Sequence, residues 1–182
     1  MRRRTTRMEI LLLASLIVLN GLFAMSEIAL VTARRSRLAK LAADGDRAAT
    51  VAMELGEHPT RFLSTIQIGI TAIGILNGII GEAVFADPFG TWLIGLGLDP
   101  DASRYVATAL VVVVITYVTI VVGELVPKRL GQLNPEAIAR GVARPMQWLA
   151  AASRPFVRLL SFSTDSLLKL FPTPPAHGAT VT

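Results

Sequence analysis

Three stretches of this chain are long and apolar enough to cross a lipid bilayer, and they limit its fold more than any other feature. A crossing helix needs about 20 mainly apolar residues. The stretches run from about Ile10 to Val31, from about Phe62 to Phe85 and from about Tyr105 to Val126. Composition agrees. Of 182 residues, 52% are hydrophobic and only 17% charged, against roughly a quarter charged in ordinary soluble domains. The mean hydropathy is +0.56. Such a balance argues against a soluble globular enzyme, and against disorder, which needs low hydrophobicity. The expected fold class is an all-α membrane protein. It has three transmembrane helices with broken or kinked segments, plus amphipathic juxtamembrane helices on the cytoplasmic side.

Cysteine is absent, so there is no disulfide frame, no thiolate metal site and no cysteine nucleophile. The net charge is +5. In a membrane protein that basicity belongs in cytoplasmic loops and at lipid headgroups. No basic patch is interleaved with aromatics, so no nucleic-acid partner is expected. A fourth stretch, about Pro145 to Phe171, places Arg154, Arg158, Asp165 and Lys169 on one stripe, with Trp148, Phe156 and several leucines filling the rest. That pattern suits a helix lying in the membrane interface rather than crossing it. The Pro-rich run Pro172–Gly178 reads as a linker.

Orientation follows from the Lys and Arg counts. The 34–61 and 127–182 segments carry thirteen of the eighteen, and residues 1–7 and the 86–104 loop carry five. The expectation is an N-terminus outside and a cytoplasmic C-terminus in the cell membrane. Met1-Arg2-Arg3-Arg4 pulls the other way. The basic start followed by Ile10–Ala24 also has some signal-peptide character. However, Leu22-Phe23-Ala24 is not a small-x-small cleavage pattern, and the apolar run continues to Val31.

Polar side chains inside membrane helices are costly, so each needs a reason. Span one carries Asn20, Ser26 and Glu27; span two carries Gln67, Asn77 and Glu82; span three carries Glu124, close to Pro127 and Lys128. Acids outnumber bases within the spans, so a bound cation is the natural counter-charge. The donors are carboxylate, amide, hydroxyl and backbone carbonyl. These hard oxygens suit Mg²⁺, Ca²⁺, Na⁺ or Mn²⁺. No span contains His or Cys, which disfavours zinc and copper. Pro127 lacks an N–H and crowds the Gly123 carbonyl, which is then expected to be free near Glu124. Bland readings stand beside these. Ser26 serves equally as a small packing residue and Asn77 as an interhelical hydrogen bonder. Glu27 and Glu82 lie near span ends, within reach of water. Gly74 and Gly78 form an ordinary small-xxx-small packing face, and Lys128 can simply pair with Glu124 one turn away.

Four motifs in order, Phe23-Ala24-Met25-Ser26-Glu27-Ile28-Ala29-Leu30, Gln67-Ile68-Gly69-Ile70-Thr71, Asn77-Gly78 and Gly123-Glu124-Leu125-Val126-Pro127-Lys128, resemble the membrane domain of the CNNM/CorC family of magnesium transporters. The resemblance covers about residues 8–171. It implies a dimeric Mg²⁺ exporter, driven by a Na⁺ gradient, working by alternating access through an inward-facing cavity. The implied Mg²⁺ ligands are Ser26, Asn77 and Glu124, with Gly123 offering a carbonyl. Glu27 and Gly78 are secondary candidates, while Pro127 shapes the helix break and Lys128 closes its end. The expected organisation is a cation-transport domain over 1–144, juxtamembrane helices over 145–171 and a linker over 172–182. Family members continue into cytoplasmic CBS domains that bind adenine nucleotide. Here the sequence stops at Thr182, as either a truncated piece or a short form, and no ATP site is assignable. The rival readings are a passive divalent-cation channel and a membrane anchor or regulator for CBS domains. An enzyme is not expected, since neither His-Glu-x-x-His nor a nucleophile elbow occurs.

Overall fold

The computed structural model describes residues 2–57 and 59–169, and every regular element among them is helical. In chain order these are α1 (Arg2–Thr32), α2 (Arg35–Ala43), α3 (Arg47–Glu57), α4 (Pro59–Gly95), α5 (Pro100–Ile120), a π-helical turn (Val121–Leu125), α6 (Val126–Leu133), α7 (Pro135–Ala152) and α8 (Arg154–Leu168). The 172–182 linker, His58 and His177 lie outside the described residues.

Among the described residues, three segments are long and apolar enough to cross a membrane: Arg7–Thr32, Phe62–Gly95 and Pro100–Leu133. They coincide with the expected spans, and the second and third exceed them most. Two proline effects account for this. Pro88 sits inside α4, where it removes one hydrogen bond without ending the helix. The helix continues to Gly95 and carries Phe89 and Trp92, whose rings stack with centroids 5.3 Å apart. At the other side of the turn, Asp99 caps α5. Its Oδ2 accepts from the Asp101 and Ala102 amides at 3.1 and 3.3 Å. Pro100 occupies the first turn, where its missing N–H costs nothing. Gly97, at φ +94°, makes the tight reversal between α4 and α5.

Small residues set the register of the spans. A Cβ on Gly69 would lie 2.7 Å from the Phe23 ring, and one on Gly81 would lie 2.7 Å from Ile115. Gly90 lies against Ala107. As α4 residue numbers rise, their α5 neighbours fall, so α4 runs antiparallel to α5. The contacts between α1 and the third span rise together: Gly123 sits at Ile17 and Asn20, Gly21 at Pro127, and Gly131 at Ile28 and the Met25 carbonyl. Those two segments are parallel, as first and third crossings must be.

Most of the packed core lies at one end. There Leu30, Leu38, Ala49, Ala52, Phe62, Ile66, Ala139, Ala143 and Met146 form one cluster. It gathers the end of α1, the α2–α3 hairpin, the start of α4 and α7. A smaller cluster, Leu13, Val111 and Ile115, lies within the spans. Val112, Val113 and Val114 are exposed, which a bilayer accommodates because lipid tails are as apolar as the side chains. The α2–α3 hairpin turns at Gly45, at φ +93°. Asp46 caps α3 by accepting from the Ala48 and Ala49 amides at 2.8 and 3.2 Å. Its other oxygen pairs with Arg140 on α7. Glu136, also on α7, accepts from the Arg34 amide at 3.3 Å and lies 3.6 Å from Arg37. Pro145 is carried inside α7, and the stretch from 145 onward is divided between α7 and α8 at Ser153. No residue of α8 is buried, as suits a helix lying on an interface.

Two outcomes test this packing. A Cβ on Gly131 would approach the Met25 carbonyl to 2.9 Å. Gly131→Val is therefore expected to destabilise the folded protein by about 1–3 kcal/mol. Gly141, with nothing within 4 Å, takes Ala with a gain of about 0.5–1 kcal/mol. Denaturant titration in detergent reads both.

Burial opposes ionisation of Asp46, but the Ala49 and Ala48 amides and the Arg140 guanidinium outweigh it and hold the carboxyl below its usual range. Burial likewise opposes ionisation of Glu136, and amide hydrogen bonds together with Arg37 and Arg34 outweigh it. A depressed folded pKa stabilises above the unfolded value, and that contribution disappears as pH falls through the folded one. Stability is thus expected to be insensitive to these two groups near neutrality and to fall only below the ordinary carboxylate range. Arg140→Ala is expected to weaken that acid-side dependence, as read by melting temperature against pH.

Candidate cation site

The site is built where α1 meets the π-helical turn. On α1, Asn20, Ala24 and Glu27 recur at helical spacing and share one face. Across from it, Pro127 has no N–H to give to the Gly123 carbonyl four residues back. The helix responds by widening into the π turn, and Asn20 supplies the missing donor. Its Nδ2 donates to the Gly123 carbonyl at 3.0 Å, and Asn20 is 2% exposed. The approach requires glycine on both sides. A Cβ on Gly21 would lie 2.9 Å from Pro127 Cγ, and one on Gly123 would lie 3.3 Å from Asn20 Nδ2. The Gly123 carbonyl, expected from sequence to be free, is therefore held by an amide, though a carbonyl oxygen keeps a second lone pair.

One turn beyond Glu124, the Lys128 ammonium bridges two helices. Its Nζ is 2.8 Å from Glu124 Oε1 and 3.2 Å from Glu27 Oε2. The three side chains are only partly buried, with Glu27 at 21%, Lys128 at 30% and Glu124 at 33% exposure. Carboxylates from two spans thus converge on one positive charge. Among the described residues there is no cluster of three or more His, Cys, Asp or Glu. A cation here would take two carboxylates and fill its remaining positions with neutral oxygens and water, which is the ordinary habit of Mg²⁺.

The other sequence candidates are placed as follows. Ser26 is fully buried, and its hydroxyl donates to the Leu22 carbonyl at 2.6 Å. Asn77 is 1% exposed, and neither its Oδ1 nor its Nδ2 has a hydrogen-bond partner. A buried amide left unpaired costs about 1–3 kcal/mol, which makes Asn77 a candidate ligand. The register puts it eight residues beyond Gly69, or about 12 Å of helix rise, on the side of Phe23 away from Glu27. Gly78 has nothing within 4 Å of its missing side chain. Glu82 lies apart and accepts from the Thr108 hydroxyl at 3.3 Å. Asn20 is the residue that sequence reasoning passed over. Its signal was an amide at helical spacing from Glu27, but its partner sits 103 positions away.

Asn20→Ala would leave the Gly123 carbonyl without a donor in a region from which water is excluded. A loss of about 1–3 kcal/mol in stability is expected, measurable by thermal unfolding in detergent.

The family model described as the cyclin M transmembrane N-terminal domain matches residues 11–182. UPF0053 protein sll0260 of Synechocystis is 45% identical over 92% of this chain and 37% of its own length. UPF0053 protein YhdP of Bacillus subtilis is 31% identical over 90% of this chain and 37% of its own. The polyamine export protein of Salmonella typhimurium is 31% identical over 91% of this chain and 37% of its own. The chain thus spans a little over a third of the length of these relatives. Export is the activity named for the Salmonella relative. With the match covering nearly the whole sequence and all three spans, the chain belongs to the CNNM family, whose transmembrane domain it carries.

Proposed function

We propose that the protein exports Mg²⁺ across the cell membrane by alternating access, with Na⁺ as the coupling ion. The single observation that carries this reading is the convergence of Glu27 and Glu124 on one point beside a broken helix. Ser26, Asn77 and the Gly123 carbonyl add neutral oxygen donors. Pro127 keeps the helix open. Asn77 and Ser26 are offset along the helices, so holding one ion between them requires α4 to slide or bend against α1. The glycines of α4 allow that movement, and the movement is the change of access. The reading includes an N-terminus outside, a C-terminus in the cytoplasm and CBS domains as partners of a longer chain. It also includes a homodimer. Gly74 and Gly78 leave an open small-residue face, flanked by exposed Ile75 and Ile79, that fits a second copy in the membrane.

One observation favours a second cargo. The alkylammonium of Lys128 between two carboxylates is the arrangement that a protonated amine would adopt, and the Salmonella typhimurium relative, like one in Escherichia coli that is 30% identical, is named a polyamine export protein. Flux in proteoliposomes, with Mg²⁺ or a linear polyamine as cargo and with or without a Na⁺ gradient, separates the two. Saturable, Na⁺-dependent Mg²⁺ flux is expected. Glu124→Gln is expected to lower its rate at limiting Mg²⁺ at least about tenfold, the effect of losing about 1.4 kcal/mol of binding. Unchanged Mg²⁺ flux in that variant removes Glu124 from the mechanism. Polyamine flux without Mg²⁺ flux reassigns the cargo.

A further inference from the structure

We propose that the Lys128 ammonium is a tethered counter-ion: it occupies the carboxylate pair when no cargo is bound, competes with the cargo, and leaves when the cargo arrives. This rests on the reading that Glu27 and Glu124 receive the transported cation.

A Glu and a Lys four residues apart on one helix form an ordinary surface pair, and Lys128 with Glu124 alone would need no further account. Glu27 changes that. It reaches the same Nζ from α1, at 3.2 Å, while Glu124 holds it at 2.8 Å. The ammonium therefore sits at the point where both carboxylates aim, which is where a bound cation would sit. Two positive centres cannot share that point. With Mg²⁺ and two carboxylates the local charge is zero. If Lys128 stayed, the site would carry an uncompensated positive charge among apolar helices, which is costly. The lysine stem has four methylenes and several rotamers, so its head can swing out without moving the backbone. Its exposure of 30% shows an open direction for that swing.

The tether also explains how an unloaded site can change access. Two bare carboxylates facing each other between apolar helices, each only partly exposed, repel. With the ammonium between them, the empty site carries one net negative charge instead of two. Lys128 thereby weakens cargo binding and eases the unloaded return.

The test uses the whole chain in detergent with Mg²⁺ as the probe. The apparent affinity of a site blocked part of the time falls by the fraction of time that it is open. If Lys128 holds the site nine-tenths of the time, Lys128→Met is expected to lower the half-saturating Mg²⁺ concentration about tenfold in a thermal-shift titration. Lys128→Arg, which keeps the charge, is expected to retain weak binding. A second measurement needs no variant. Amine acylation of Lys128, read by mass spectrometry, is expected to accelerate when Mg²⁺ is added, with exposed Lys40 as the unchanged reference. This decides the matter if the Met variant does not fold. Mg²⁺ binding that is unchanged or weaker in Lys128→Met, or Lys128 reactivity indifferent to Mg²⁺, overturns the proposal while leaving the cargo reading in place. A wild-type protein with no Mg²⁺ response overturns both.

Discussion

Pro127 strips the Gly123 carbonyl of its helical donor at a depth where water cannot replace it, and the neighbouring architecture follows from that deficit. The amide of Asn20 fills it from another span. To bring that amide within 3.0 Å, α1 and the π turn must touch backbone to backbone, so Gly21 and Gly123 carry no side chain. Once those turns are in contact, the parallel course of the two segments carries the contact on to Gly131 against Ile28. Glu27, two turns beyond Asn20 on the same face, then arrives opposite Lys128. A single missing N–H thus fixes the place where two carboxylates meet.

The local parts of this arrangement are legible in the sequence. Three spans appear as apolar runs, and the third span is visibly interrupted at Pro127. What is not legible is tertiary. Whether Pro88 ends a helix depends on whether its neighbours tolerate one lost hydrogen bond. Here they do, and α4 continues to Gly95. Asn20 looked like one more polar residue in span one, because nothing near it in sequence names Gly123 as its partner. Lys128 was visible as the neighbour of Glu124, but its second contact depends on the register of α1. The stripe of charges on α8 is legible because it follows from the spacing within one helix.

The two ends of the molecule differ in what holds them. At the α2–α3 end, alanines on α3 and α7 pack closely beneath Leu38, Phe62 and Met146, and Asp46 with Arg140 and Glu136 with Arg37 tie α7 to the hairpin. Within the spans the buried cluster is small, and glycines meet single side chains such as Phe23 and Ile115. Contacts of that kind can part at low cost, because lipid replaces whatever apolar surface is uncovered. Motion is therefore expected within the bundle, against a braced platform at one end.

The spacing of acids bears on the kind of cargo. An extended polyamine carries charges several bonds apart and needs a second carboxylate along its length. Beyond Glu27 and Glu124, the next acid in the spans is Glu82. Gly81 lies at Ile115, so Glu82 is level with residues some ten positions before Glu124, at least about 15 Å away along the helix. Its carboxylate is turned to Thr108. Between the two stands Asn77, a neutral amide with both polar atoms unpaired. Carboxylates on one side and an uncharged amide on the other suit a compact ion that keeps part of its water, whose hydration shell can bridge what the side chains do not reach. A second ammonium on a linear chain would meet only neutral groups there, and this supports the divalent ion as the proposed cargo.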